Sequence, residues 1–191
     1  MRTLILCLGN ERVSDDGIGA EIGRVLRLLP LPDDILVKVV PRLRLDLLDV
    51  IAGIDHLVIV DALAAKAAPG TCTVVDVTQH CAAVVASGCC HSNDVRDLIH
   101  LAREVAPRGS ECSITIAGVQ ADHVDRYDAP YSQAVLLARP RLVDLVLLST
   151  GAELKIRLLA EASFRETVHL LHDVSAPCDW QETSAQAAGV Q

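Results

Sequence analysis

Aromatic residues make up only 2% of this 191-residue chain, and there is a single Met. A core built without them has to be filled by Leu, Val, Ile and Ala, the usual filling of a parallel sheet covered by helices. Long apolar runs are missing too. The longest candidate, Ala134 to Ser149, is broken by Arg139, Pro140, Arg141 and Asp144, so no stretch reaches the roughly 18 apolar residues of a membrane span. No cluster of Lys and Arg stands out, and the formal net charge is −8. That balance argues against a nucleic-acid partner, because phosphate recognition needs concentrated positive charge. The N-terminal apolar run is short and leads straight into charged residues, unlike an export signal. Seven cysteines form no C-x-x-C pair, and reduced thiols in a cytoplasm are expected. Neither a G-x-G-x-x-G fingerprint nor a P-loop Lys is present.

What the chain does have is an alternation of short apolar runs and helical patterns, in a length that suits one main domain. Leu4 to Leu8 is long enough for a strand buried on both faces, and Gly9-Asn10 turns it. The first helix is expected from about Ile18 to Leu29. Ile35 to Val40 is a second strand, and Arg42 to Ala52 has the apolar spacing of a helix. Leu57 to Val60 reads as the clearest buried strand, ending on Asp61. Thr71 to Val77 alternates like an edge strand, and Cys112 to Val119 is the next strand, closed by Gly118. Helices are expected after His91 and from about Ser132 to Leu148, the latter kinked at Pro140. This order implies right-handed crossovers and a doubly wound, mostly parallel sheet with helices on both faces, a three-layer α/β fold. Residues 1–150 form this domain, and residues 151–191 are a C-terminal extension, partly helical and then mobile.

In such sheets ligands bind beyond the carboxyl ends of the strands, at the point where the strand order reverses. That rule gives one address to three remote residues. Asp16 follows the first strand, Asp61 ends the third, and His91 sits at the mouth of a later helix. Of the adjacent acids Asp15 and Asp16, one is enough to cap the helix, as is Ser14, which leaves the other as a ligand or a base. Singly, each residue has a plain reading: Asp61 as a loop organiser, His91 as a helix cap. Together, two carboxylates and an imidazole suit Ni, Zn, Co or Mn. Cys89-Cys90 is read as buried packing, as is Cys7. His169 and His172, one helical turn apart, are read as facing solvent.

The stretch Gly9-Asn10-Glu11-Arg12-Val13-Ser14-Asp15-Asp16-Gly17-Ile18-Gly19, followed by Val60-Asp61-Ala62 and by His91, resembles the nickel–iron hydrogenase maturation endopeptidases over about the first 150 residues. The resemblance implies a cytoplasmic, aspartyl-type endopeptidase that removes a short C-terminal extension from the hydrogenase large-subunit precursor once nickel has been inserted. It implies that Asp16, Asp61 and His91 contact the metal and that Asp16 is the catalytic group, with Gly9 and Asn10 on the substrate side. The nickel is expected to arrive in the substrate as the recognition signal, so no permanent cofactor is expected, and the enzyme is expected to be a monomer. A carboxylate, Asp15 or Asp16, would take a proton from the attacking water. Replacing Asp16, Asp61 or His91 by Ala is expected to stop processing and leave the fold intact. The chain departs from the family pattern after the second strand, where an acidic, Gly-rich turn is replaced by Val40-Pro41-Arg42-Leu43-Arg44-Leu45. Cys7 also stands where the family's first strand often has Gly. Two further readings are a non-cleaving chaperone or binding protein of the same fold and a nucleotide-binding flavodoxin-like module, the latter disfavoured by acids that would repel phosphate.

Overall fold

The computed structural model describes residues 1–43, 47–51, 53–78, 88–91, 95, 97, 100 and 112–152. The expected helix start at 92–94, the paired histidines 169 and 172 and the extension beyond residue 152 lie outside them. Five strands form one sheet: β1 (Thr3–Leu8), β2 (Ile35–Val40), β3 (His56–Leu63), β4 (Cys72–Asp76) and β5 (Ser113–Gln120). Their order across the sheet is β2-β1-β3-β5-β4. All neighbours are parallel except β4, which runs antiparallel to β5 along one edge. The chain leaves β1 for β2 on one side and returns to β3 on the other, so the strand order reverses between β1 and β3.

Helices cover both faces. On one, α1 (Ile18–Arg27) and α3 (Gln133–Ser149) pack against β1, β3 and β5, burying Ile18, Ile22, Val25 and Leu26 together with Leu142, Val143 and Val146. On the other, Leu47 and the short α2 (Leu48–Ile51) cover Leu4, Leu6, Leu57 and Ile59. Alternation along β1 therefore sends Ile5 and Cys7 to one core and Leu4, Leu6 and Leu8 to the other. Cys7 is packing, as its place in the strand suggested, and burial pushes its thiol up to about 12. No helix among the described residues is long and apolar enough to cross a membrane.

Two polar devices join the α1/α3 layer. Glu21 on α1 and Arg139 on α3 form a buried ion pair. Pro140 lacks the N–H that would reach the Leu136 carbonyl, and Arg139 Nε donates to that oxygen at 3.2 Å. The helix accordingly continues through Pro140 to Ser149, with Ser132 accepting from Val135 N–H as its cap.

The strands differ from the sequence reading chiefly in β3. It does not stop at Asp61, because Asp61, Ala62 and Leu63 keep pairing with Gly118, Val119 and Gln120 of β5. Its first residue, His56, is buried, with Nε2 3.1 Å from Thr115 Oγ1. Burial holds this imidazole below the ordinary histidine pKa, with Asp76 opposing in part. The unfolded chain therefore binds more protons below about pH 6.5, and stability falls as pH drops through that value from the neutral side. His56→Gln is expected to flatten the pH dependence of Tm between about pH 7 and 5, read by thermal melts against wild type. Parallel slopes for the two proteins would reject this.

Candidate active site

The reversal between β1 and β3 is where the site is built. Beyond β1, Gly9 adopts φ +143, and a Cβ there would lie 2.1 Å from the Asp16 carbonyl oxygen. Gly19, at the start of α1, lies so close to the strand ends that a Cβ would meet the Leu8 oxygen at 2.0 Å and the Val60 oxygen at 2.6 Å. The glycines thus let the loop and the first turn of α1 sit directly on the ends of β1 and β3. A 3-10 turn, Ser14–Gly17, carries the two acids between them.

The two acids face different ways. Asp15 is fully buried, and its carboxylate accepts the backbone N–H groups of Asp122 at 2.9 Å, His123 at 3.2 Å and Ser132 at 2.7 Å. It clips the first loop to the segment between β5 and α3. This corrects its reading as a cap of α1. Ser14 does not cap either: at φ +35 it donates its hydroxyl to the Pro130 carbonyl, and α1 begins without a side-chain cap.

Asp16 is partly buried and accepts the Asn10 N–H on Oδ2 at 2.9 Å. Desolvation raises its pKa. The Asn10 bond and His91 oppose that rise, and the negative charge of Asp61 adds to it. The charges of both other members of the triplet thus bear on Asp16. Asn10 also accepts from Arg12 N–H on its side-chain oxygen and from Val13 N–H on its carbonyl. What Gly9 and Asn10 do here is shape the loop and hold Asp16.

Asp61 and His91, 30 residues apart, are in direct contact: His91 Nδ1 lies 3.0 Å from Oδ1 and 3.1 Å from Oδ2. Asp61 has no exposed surface, and three more donors meet it. Ala62 N–H reaches Oδ1 at 2.9 Å, while His91 N–H at 3.1 Å and the Cys89 thiol at 2.8 Å reach Oδ2. A carboxylate with four donors is a strong orienting group, holding the imidazole by Nδ1 as the carboxylate behind a metal-binding or catalytic histidine does. Asp61 organises its loop, as the plain reading had it, and grips His91 as well.

The vicinal cysteines are the feature that sequence reasoning undervalued. Cys89 is buried, but it donates to Asp61 as well as filling space. Burial and the Asp61 charge push its thiol far up, and Cys90 beside it is pushed up to about 12 by burial and by Asp61 and Asp16. Neither is a reactive thiolate at neutral pH. The only advance signal was adjacency to His91.

The chemistry available is that of an imidazole held by a carboxylate, with a second carboxylate of raised proton affinity beside it. Among the described residues no group of three or more His, Cys, Asp or Glu is placed to hold a metal ion. The site is thus a His–Asp pair with Asp16 alongside, and Asp61 would have to exchange one of its protein donors to take a metal.

Comparison with known proteins bears on this arrangement. A family model described as HycI, hydrogenase maturation protease, matches residues 43–149, just over half of the chain and including Asp61 and His91. No curated protein matches. Among solved structures, the chain is similar to the hydrogenase maturating endopeptidase HybD from E. coli, with 25% identity, 78% of this chain and 91% of that one covered, and a TM-score of 0.65. It is similar to the [NiFe] hydrogenase maturation protease HybD from Thermococcus kodakarensis at 26% identity, 80% and 100% coverage and a TM-score of 0.66. An endopeptidase from Escherichia coli, 24% identical over 80% of this chain and 96% of its own, shares the fold at a TM-score of 0.67. A family match through β3, β5 and α3, joined to the likeness to solved peptidases over most of the chain, settles the kinship: this chain belongs to the hydrogenase maturation protease family and is a peptidase.

Proposed function

We propose that the protein is an endopeptidase that removes the C-terminal extension of a nickel–iron hydrogenase large-subunit precursor after nickel insertion, reading the inserted nickel as its signal. The observation that supports this reading is the hold of Asp61 on His91 beside the strand-order reversal, with Asp16 on the loop that leaves β1 at the same end of the sheet. The nickel belongs to the precursor. It arrives with ligands of its own, so a complete cage on the enzyme is unnecessary. Asp16, Asp61 and His91 are the groups that would meet it, and a metal beside the scissile bond polarises its carbonyl.

In the cleavage step, water attacks the scissile carbonyl carbon while Asp16 takes one of its protons. The proton passes to the leaving amine as the C–N bond breaks, which returns Asp16 to the carboxylate form. Burial that raises the proton affinity of Asp16 makes it a better base than an exposed carboxylate. Gly9 and Asn10 line the approach of the substrate. Large-subunit precursors are the substrate class, and the cytoplasm is where such a precursor would be met.

The test mixes purified protein with nickel-loaded precursor and follows the mobility shift caused by loss of the extension. Wild type is expected to convert the precursor. Asp16→Asn is expected to slow conversion about 100-fold or more, with Tm nearly unchanged, because the residue gives up little beyond the Asn10 contact. Stable co-elution without any shift would replace the peptidase reading with that of a non-cleaving binder, and normal conversion by Asp16→Asn would remove Asp16 from the mechanism.

A further inference from the structure

Residues 88–91 run alongside the end of β3. Cys89 bridges to Leu63, Ala64 N–H donates to the Gly88 carbonyl, and Cys90 N–H donates to that of Ala62. Gly88 sits at φ +74, where a Cβ would press against Ala65. The segment is therefore tied to β3 before its side chains do anything. Three of the four donors on Asp61 come from it: the Cys89 thiol at 2.8 Å, the His91 N–H at 3.1 Å and His91 Nδ1 at 3.0 Å. Cys89 is only 3% exposed and has aliphatic neighbours on the second face of the sheet. Its proton is nevertheless turned to the one carboxylate that carries the imidazole.

We propose, on the reading of this site as a peptidase centre, that Cys89 is a positioning residue whose thiol fixes the rotation of the Asp61 carboxylate and, through it, the ring of His91. A carboxylate turns freely about its Cβ–Cγ bond unless both oxygens are held. Ala62 N–H holds Oδ1, and Cys89 and His91 N–H hold Oδ2. Without the thiol, Oδ2 keeps only the two His91 donors, the backbone N–H and the ring itself, so the carboxylate is freer to turn and the imidazole that leans on both oxygens turns with it. Because His91 would meet the precursor's nickel, its angle bears on how the precursor seats and on attack at the scissile bond alike. The loss therefore falls on kcat/KM. Partners one layer behind a functional histidine set its effectiveness by about 10- to 100-fold.

The experiment compares wild type, Cys89→Ser and Cys89→Ala on nickel-loaded precursor, with melts recorded for each. Cys89→Ala is expected to lose about tenfold in kcat/KM, and Cys89→Ser, which restores a donor, to recover most of it. Cys89→Val, of similar volume without a donor, replaces Cys89→Ala if that variant does not fold. A second readout needs no substrate. The S–H stretch of Cys89, isolated as the infrared difference between wild type and Cys89→Ser, is expected below that of the other thiols, because a bond to a carboxylate weakens S–H. Equal kcat/KM for the Ser and Ala variants overturns the proposal, as does a band at the position of an unbonded thiol. If wild type cleaves no nickel-loaded precursor, the peptidase reading fails by itself, and the infrared band still decides whether the thiol holds Asp61.

Discussion

Asp15→Ala is expected to lower unfolding stability by about 3 kcal/mol, since three part-buried amides lose a charged acceptor at roughly 1–3 kcal/mol each, reduced by local relaxation and by access to water. The amides belong to Asp122, His123 and Ser132, so the damage spreads from the first loop to the start of α3. Against a typical total of 5–15 kcal/mol, such a loss is a substantial fraction. Urea unfolding gives the number, and Asp15→Asn makes the argument specific. The amide keeps one acceptor oxygen but aims an N–H₂ at donors, so it is expected to fall between wild type and Asp15→Ala. An Asp15→Ala protein within 1 kcal/mol of wild type would show that water replaces the carboxylate at no cost. Any loss of processing in this variant should track the unfolded fraction, since Asp15 does not face the substrate side.

Asp61→Ala is expected to fail in two ways. It strands the N–H groups of Ala62 and His91, the Cys89 thiol and the His91 ring, at a cost of about 4 kcal/mol in a fully buried place. It also releases His91, so processing falls by about 100-fold or more even in the molecules that stay folded. The structure thereby sets Asp61 apart from Asp16. Alanine at Asp16, which accepts a single backbone N–H, is expected to leave the fold intact, whereas alanine at Asp61, with four donors, is not. Asp61→Asn separates the two effects. It is close to isosteric and keeps one carbonyl acceptor, so it should recover part of the stability while processing stays low. Melts and the precursor mobility shift on the same samples read both. Full processing by folded Asp61→Asn would mean that the carboxylate serves the fold alone.

Much of this architecture was legible because it rests on local patterns. Ile35–Val40 is a strand with the bounds its β-branched run suggested, and Cys72–Asp76 is the edge strand that alternation implied. The opening motif and the Val-Asp-Ala and His positions placed the chain in its family before any coordinates. Where the reading fell short, the deciding partner was far away in sequence. Asp15 looked like a helix cap because its true donors lie 107 to 117 residues downstream. Strand β3 was ended at Asp61 because a carboxylate there looks like a terminus, while pairing with β5 carries the strand on to Leu63. Cys89 looked like packing because no rule of spacing links a thiol to a carboxylate 28 residues before it.

The sequence by itself determined the layers and the mostly parallel sheet, since periodicity and glycine placement act within a few residues and need no partner. Only the tertiary structure decided which acid stays partly exposed beside Asn10 and which is spent holding two loops together. It alone decided that a thiol and an imidazole share one carboxylate. A carboxylate's role follows from the donors that surround it once water is excluded, and those donors are chosen by the fold and not by the neighbouring residues in the chain.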